Sequence, residues 1–173
     1  MITEEELVQK AQEGDRQALG VLWDKITPKL FGYLLNVVHD KAIAEDLLQT
    51  TWLRAIEGLP KFKQRGAKFS SWMFAIARNE CRQHWRKYKR EAPFDIVLHD
   101  VSDDGHTDDK ILIEQILASL SEDDREIIRL RYVADLPLSD IAGVLNINFI
   151  AVRVRLHRAL ARARSKIIPQ NHE

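Results

Sequence analysis

Between Ala151 and Lys166 the chain carries six basic residues, Arg153, Arg155, Arg158, Arg162, Arg164 and Lys166, and no acidic one. They interleave with Val152, Leu156 and Ala159, the three-and-four spacing of a helix that buries one side. A helix of this kind suits the major groove of duplex DNA, where its first turns read base edges and its arginines grip phosphates. The preceding residues supply a partner. Ile141, Ala142 and Leu145 can pack on Val152, Leu156 and Ala159 across a short Asn146-Ile147-Asn148 turn, with the small Ala142 at the close crossing. That packing turns Arg153, Val154, His157 and Arg158 outward, and Arg155 completes the candidate duplex-reading set.

A second basic stretch mixes its charge with rings. Phe62, Phe69, Trp72, Phe74, Trp85 and Tyr88 lie among Lys61, Lys63, Arg65, Lys68, Arg78, Arg82, Arg86, Lys87, Lys89 and Arg90. Cations that track a backbone, beside rings or pockets that receive unstacked bases, are the means of holding single-stranded nucleic acid. Arg78, Arg82, Trp85 and Lys89 recur along one helical face. Trp72 and Phe74 sit amid Met73, Ala75 and Ile76, where the core has first claim on a ring, and Trp72 remains a candidate contact beside it.

The formal net charge is zero, but the charges are sorted along the chain. Residues 61–90 hold 10 basic and 1 acidic residue, residues 91–124 hold 1 and 11, and residues 125–173 hold 9 and 4. Two separated basic blocks predict a polyanion held at two places. The acidic linker within the stretch between them, residues 91–109, is expected to lie over the basic surfaces and hold the lobes together in the free protein.

The elements that position these residues are all helical by pattern. Thr3 and Glu6 form a capping box for a first helix, and Asp15 caps a second with Leu19, Leu22, Trp23 and Ile26 on one face. Thr27-Pro28 is expected to end that helix and start another carrying Phe31, Leu34, Leu35 and Val38. Asp40 caps a helix to about Glu57, stopped by Gly58 and Pro60, and Ser70 is the expected cap of a long helix to about Arg90. Residues 91–109 contain Pro93, Gly105 and clustered acids with no sustained period, as a solvated linker does. Ile113, Ile116, Leu117 and Leu120 share a face beyond it. Ser121 with Asp124 caps a helix over 122–133, Leu136-Pro137 breaks it, and helices 138–145 and 149–167 follow. The expected fold is all-α, with two small helical domains at 1–90 and 110–170 joined by the acidic linker 91–109.

Several functions are excluded by what is missing. There is no Gly-rich phosphate loop and no His-Glu pair at helical metal-binding spacing, and the six histidines are scattered. No catalytic residue, metal site or cofactor is assigned, and an enzyme is not expected. The single cysteine, Cys81, has no thiol partner and reads as a packing residue. No apolar run approaches the roughly 18 residues of a membrane span, and the acidic start is unlike a secretory signal, so a cytoplasmic protein without membrane insertion is predicted.

With these residues placed, the chain resembles the extracytoplasmic-function (group IV) sigma factors of bacterial RNA polymerase, in the sigma-70 family. Ala44-Glu45-Asp46-Leu47-Leu48-Gln49 resembles the region-two helix that docks on the clamp helices of the largest polymerase subunit, which implies polymerase contacts at Asp46, Leu47, Gln49 and Trp52. Phe69 to Asn79 resembles the segment that captures the melted strand of the downstream promoter element, and Lys63 to Lys68 corresponds to the base-capturing loop. The implied strand contacts are Lys63, Arg65, Lys68, Phe69, Trp72, Arg78, Asn79 and Arg82. Leu120-Ser121 through Tyr132, Ile141-Ala142 and Val152 to Ala159 resemble the region-four helix-turn-helix that reads the upstream element, which implies duplex contacts at Arg153, Val154, Arg155, His157 and Arg158.

The resemblance further implies core RNA polymerase (clamp helices and flap), promoter DNA and an anti-sigma factor as partners. Thr50 departs from the family's usual acid, Asn146 from its turn glycine, and Ala151 and Val154 from its hydroxyl-bearing residues at the start of the recognition helix. The other reading of the C-terminal half is a one-component helix-turn-helix transcriptional regulator.

Overall fold

The computed structural model of the protein describes residues 2–64, 68–91 and 115–167. Every regular element among them is helical, as the pattern predicts. Helices α1 (Glu4–Gln12), α2 (Arg16–Val38), α3 (Lys41–Gly58) and α4 (Phe69–Glu91) form an N-terminal lobe, with a 3-10 turn at Leu59–Lys61. The C-terminal lobe contains α5 (Glu122–Ile128), continued by a π-helical turn at Arg129–Val133, then α6 (Leu138–Leu145) and α7 (Phe149–Ile167). A helical turn at 115–118 precedes α5. No described helix is long and apolar enough to cross a membrane. Most of the acidic stretch 91–109, with Arg65 and Ile113, lies outside the described residues.

The caps read from the sequence close several helix ends. Thr3 and Glu6 form the reciprocal capping box of α1, Asp15 accepts from the Gln17 and Ala18 amides, and Asp40 accepts from the Ile43 amide at 2.9 Å. Ser121 Oγ accepts from the Asp124 amide at the start of α5. Each satisfies a backbone donor that the first helical turn cannot pair.

Two expectations are corrected. Pro28 does not divide α2, which runs unbroken through it. Leu22 and Ile26 before it and Leu30, Tyr33, Leu34 and Val38 after it form one buried stripe, so packing holds both halves in a single phase. Pro28 and the residue four positions before it, Asp24, are both exposed, and water can solvate the carbonyl that the missing N–H leaves free. Ser70 lies inside α4 and does not cap it. Its amide and hydroxyl donate to Glu4 Oε1 at 3.0 and 3.3 Å, so a carboxylate from α1 satisfies the start of α4.

The N-terminal core gathers Leu22, Leu30, Leu34, Met73 and Phe74 around Tyr33, whose ring meets Phe74 edge-on at 5.6 Å. Cys81 is buried in the same core, and burial pushes its thiol up to about 12, consistent with a packing role. Ile127, Leu130, Ile141 and Val152 fill the C-terminal lobe. The lobes pack on each other, α4 against α6 and α2 against the π-helical turn. There the guanidinium of Arg129, almost wholly buried, donates to Asn36 Oδ1 at 3.0 Å and meets Glu122 at 3.3 Å. Burial lowers its pKa, and the Glu122 carboxylate works against that change.

Candidate nucleic-acid interface

Helices α6 and α7 make the expected helix-turn-helix. Ile141, Val144, Val152, Leu156 and Ala159 close its interior. Asn146 ends α6 in the left-handed conformation, φ 52 and ψ 47, a region that asparagine enters more readily than most residues. The Ile147 amide then bonds back to the Ala142 carbonyl at 3.1 Å, and Asn148 Oδ1 accepts from the Ala151 amide at 2.8 Å to open α7. This geometry leaves Arg153, Val154, Arg155, His157 and Arg158 exposed, as the sequence predicts. Further along, Arg162 clasps Asp124 of α5 through two 2.6 Å bonds. That hydrogen bond holds the Asp124 carboxyl below its ordinary range despite burial, and it raises the Arg162 pKa. Arg162 therefore fastens α7 to its lobe.

The basic face of α4 is arranged differently. Arg78 Nε bonds Glu126 Oε1 at 2.5 Å, and Arg82 reaches the other oxygen of Glu126 at 3.8 Å. Lys68 Nζ lies 3.1 Å from Asp140 Oδ2. Burial opposes the charge of Arg78, but its hydrogen bond and attraction to Glu126 prevail and raise its pKa. Three candidate strand contacts are thus paired with carboxylates of the other lobe. Among the described residues it is Glu126 and Asp140 that cover this face; the acidic stretch expected to do so falls mostly outside them.

Of the remaining strand candidates, Lys63 and Asn79 are exposed and Trp72 is half-buried. Phe69 is a correction. It is fully buried, with Phe62 and Trp72 each 5.5 Å away, because the first turn of α4 inserts it between the helices instead of displaying it to a base. Trp72 also closes on the backbone at Gly58, where a Cβ would lie 3.0 Å from its ring.

On α3, Asp46 and Gln49 are exposed, whereas Leu47 and Trp52 face inward with 8% and 2% exposure. Trp52 stacks on Trp23 at 4.6 Å and donates its indole N–H to Thr27 Oγ1 at 3.1 Å, so it is core and not a docking contact. The outward line from Asp46 and Gln49 continues through Leu53, 62% exposed, and Ile56, which the sequence reading did not single out. Their spacing of seven and ten residues from Asp46 was the available signal. Among the described residues no His, Cys, Asp and Glu cluster is arranged to hold a metal ion.

Two family models match the chain: Sigma-70 region 2 over residues 22–91, and Sigma-70, region 4 over residues 110–162. The ECF RNA polymerase sigma factor ShbA of Streptomyces griseus is 30% identical, with 92% of each chain covered. The chain belongs to the extracytoplasmic-function sigma factors of the sigma-70 family. The sigma-H factor of Pseudomonas aeruginosa is 29% identical, again over 92% of each chain. The sigma factor BldN of Streptomyces coelicolor is 27% identical over 96% of this chain and 66% of its own length. Among solved structures, CnrH in complex with the cytosolic domain of CnrY has a TM-score of 0.72 at 22% identity, covering 93% and 94% of the two chains. RpoE of Bartonella quintana, in complex with the anti-sigma factor NepR, has a TM-score of 0.68 at 24% identity, covering 88% of this chain and 98% of that one. These two likenesses concern the fold. In this sigma factor α2 from residue 22 onward, α3 and α4 lie in the region 2 match, and α5, α6 and α7 up to residue 162 in the region 4 match.

Proposed function

We propose that residues 1–90 of this sigma factor dock on core RNA polymerase and hold the opened promoter strand, that residues 110–170 read the upstream element as duplex, and that residues 91–109 tether the two. The observation that carries this reading is the open cationic face of α7 within a closed helix-turn-helix, where Arg153, Arg155 and Arg158 stand exposed. Arginines in that setting serve both base edges and phosphates. Asp46, Gln49, Leu53 and Ile56 make the polymerase-docking face, two polar groups followed by two exposed apolar ones.

Strand capture falls to Lys63, Arg65, Lys68, Trp72, Arg78, Asn79 and Arg82. Unstacking a base costs on the order of a few kcal/mol, so a surface that traps the unstacked base shifts duplex opening without fuel. Arg78, Arg82 and Lys68 become available when Glu126 and Asp140 withdraw. On this reading polymerase parts the lobes, and the free protein holds single-stranded DNA weakly. An anti-sigma factor in the cytoplasm that covers the same faces fits the company in which CnrH and RpoE were solved.

The test is transcription in vitro with core polymerase and a promoter library. Specific transcripts that start only when this chain is added support the proposal. Failure both to associate with core enzyme and to initiate rejects it, and promoter-specific DNA binding by a chain that does not associate with core polymerase favours a one-component regulator.

A further inference from the structure

The line of α7 farthest from its own core begins with two apolar residues. With about 3.6 residues per turn, Ile150, Val154 and His157 lie opposite the buried line of Val152, Leu156 and Ala159. Arg153 stands on one side of that ridge, and Arg155 and Arg158 stand on the other. Ile150 is 73% exposed and Val154 41%, one turn apart in the first half of the helix. Isolated exposed apolar residues need no explanation, but two in line, on the outermost ridge of a helix flanked by arginines, define a surface.

The flanking charge selects the occupant. From Arg153 to Lys166 the helix has no acidic residue, so a polyanion fits its flanks. In a major groove, arginines on both sides of a helix meet the two phosphate walls while its outermost line meets the floor. There the one apolar feature that distinguishes base pairs is the thymine 5-methyl group.

We propose that Ile150 and Val154 are specificity determinants that recognise thymine methyl groups in the upstream promoter element. The inference rests on the reading of α7 as the duplex-binding helix and adds the chemistry by which it selects sequence. Base selection comes from the apolar ridge, and Arg153, Arg155 and Arg158 contribute affinity that depends on salt.

The experiment uses holoenzyme and a promoter chosen from the library for dependence on this chain. Each thymine of the upstream duplex is replaced singly by deoxyuridine, which removes the methyl and nothing else. Loss of one buried methyl corresponds to about a fourfold change in binding, so a drop of about three- to tenfold at one or two positions is expected. Ile150→Ala and Val154→Ala should lower binding to the thymine duplex and flatten the thymine-to-deoxyuridine ratio at those positions. Both side chains are exposed, so the melting temperature of the variants should stay unchanged.

Equal binding and transcription of every deoxyuridine promoter overturns the proposal while leaving the sigma reading intact, since the unsubstituted promoter is still transcribed. A ratio that persists in both variants also overturns it, because the methyl is then sensed elsewhere. Variants that leave the ratio unchanged but lose a protein partner would assign the ridge to that partner instead. If no promoter responds to the chain at all, the sigma reading fails and this proposal falls with it.

Discussion

The sequence holds two basic helices, and the fold treats them in opposite ways. On α7, Arg153, Arg155 and Arg158 stand exposed, and the described residues place no carboxylate in an ion pair with them. On α4, Arg78 and Arg82 converge on Glu126, with Lys68 on Asp140 nearby. One surface is open in the free chain, whereas the other is occupied by the lobe that carries the first. A run of cations in a sequence therefore reports capacity for a polyanion, and only the packing of the lobes reports availability.

The largest expected effect tests whether the aromatic content of α4 belongs to that surface at all. Phe69→Ala empties a fully buried site and should cost about 3–5 kcal/mol, so thermal unfolding should show a large fall in melting temperature. If stability holds and only strand binding is lost, Phe69 is a contact after all and the boundary between core and surface is misplaced. On the open helix, Arg153→Ala should leave unfolding unchanged. It should weaken duplex binding by roughly 1–3 kcal/mol if the guanidinium meets a base, or reduce the salt dependence by about one contact if it meets phosphate. Binding identical to wild type at two salt concentrations would remove Arg153 from the interface.

Glu126→Gln separates the two surfaces further. It removes the charge that holds Arg78 and Arg82, and should cost about 1.5 kcal/mol of stability, the low end of the range for a charge-assisted hydrogen bond, since the amide can still accept from Arg78. It should also raise single-strand binding by the free protein and steepen its salt dependence, while leaving the duplex contacts of α7 as they were. Binding unchanged in fluorescence anisotropy would mean that the pairing does not limit access.

How much was legible follows from the range of the interactions. The register of α7, the left-handed Asn146 and the Ser121 cap depend on residues within a few positions of each other, and periodicity and turn chemistry expose them. The covering of α4 joins Arg78 to Glu126 across 48 residues and Lys68 to Asp140 across 72, and no local pattern encodes either pair. Trp52 and Phe69 depart from expectation for a related reason. A ring in an amphipathic helix can serve the core or a partner, and the choice is made by Trp23, Thr27, Phe62 and Trp72 from other elements or turns. The exposure of Leu53 and Ile56 is settled only when the neighbouring helices are in place, and their spacing along α3 is the part of it that the sequence carries.

The ion pair of Arg162 on α7 with Asp124 gives a pH dependence. Arg162 depresses the Asp124 pKa in the folded chain, so the stabilisation is complete above the unfolded aspartate value of about 3.9 and is lost as pH falls through the lower folded value. Asp124→Asn should be less stable than wild type near neutral pH, and the two unfolding curves should converge below about pH 4. A stability difference that stays constant through the acid range would deny the ion pair its role in fastening α7.

The smallest effect concerns Lys68 and Asp140, where the lysine side chain is 57% exposed and water screens the pair. Their coupling in a double-mutant cycle of Lys68→Ala and Asp140→Asn should be at most about 1 kcal/mol in unfolding free energy, as for other surface ion pairs. On the proposed reading, loss of the lysine removes a strand contact together with the pair, whereas loss of the aspartate charge frees the lysine. The two single variants should therefore move strand binding in opposite directions while moving stability in the same one. That divergence separates a cation that is covered by the second lobe from one that only decorates the interface, and parallel effects on both measurements would place Lys68 among the latter.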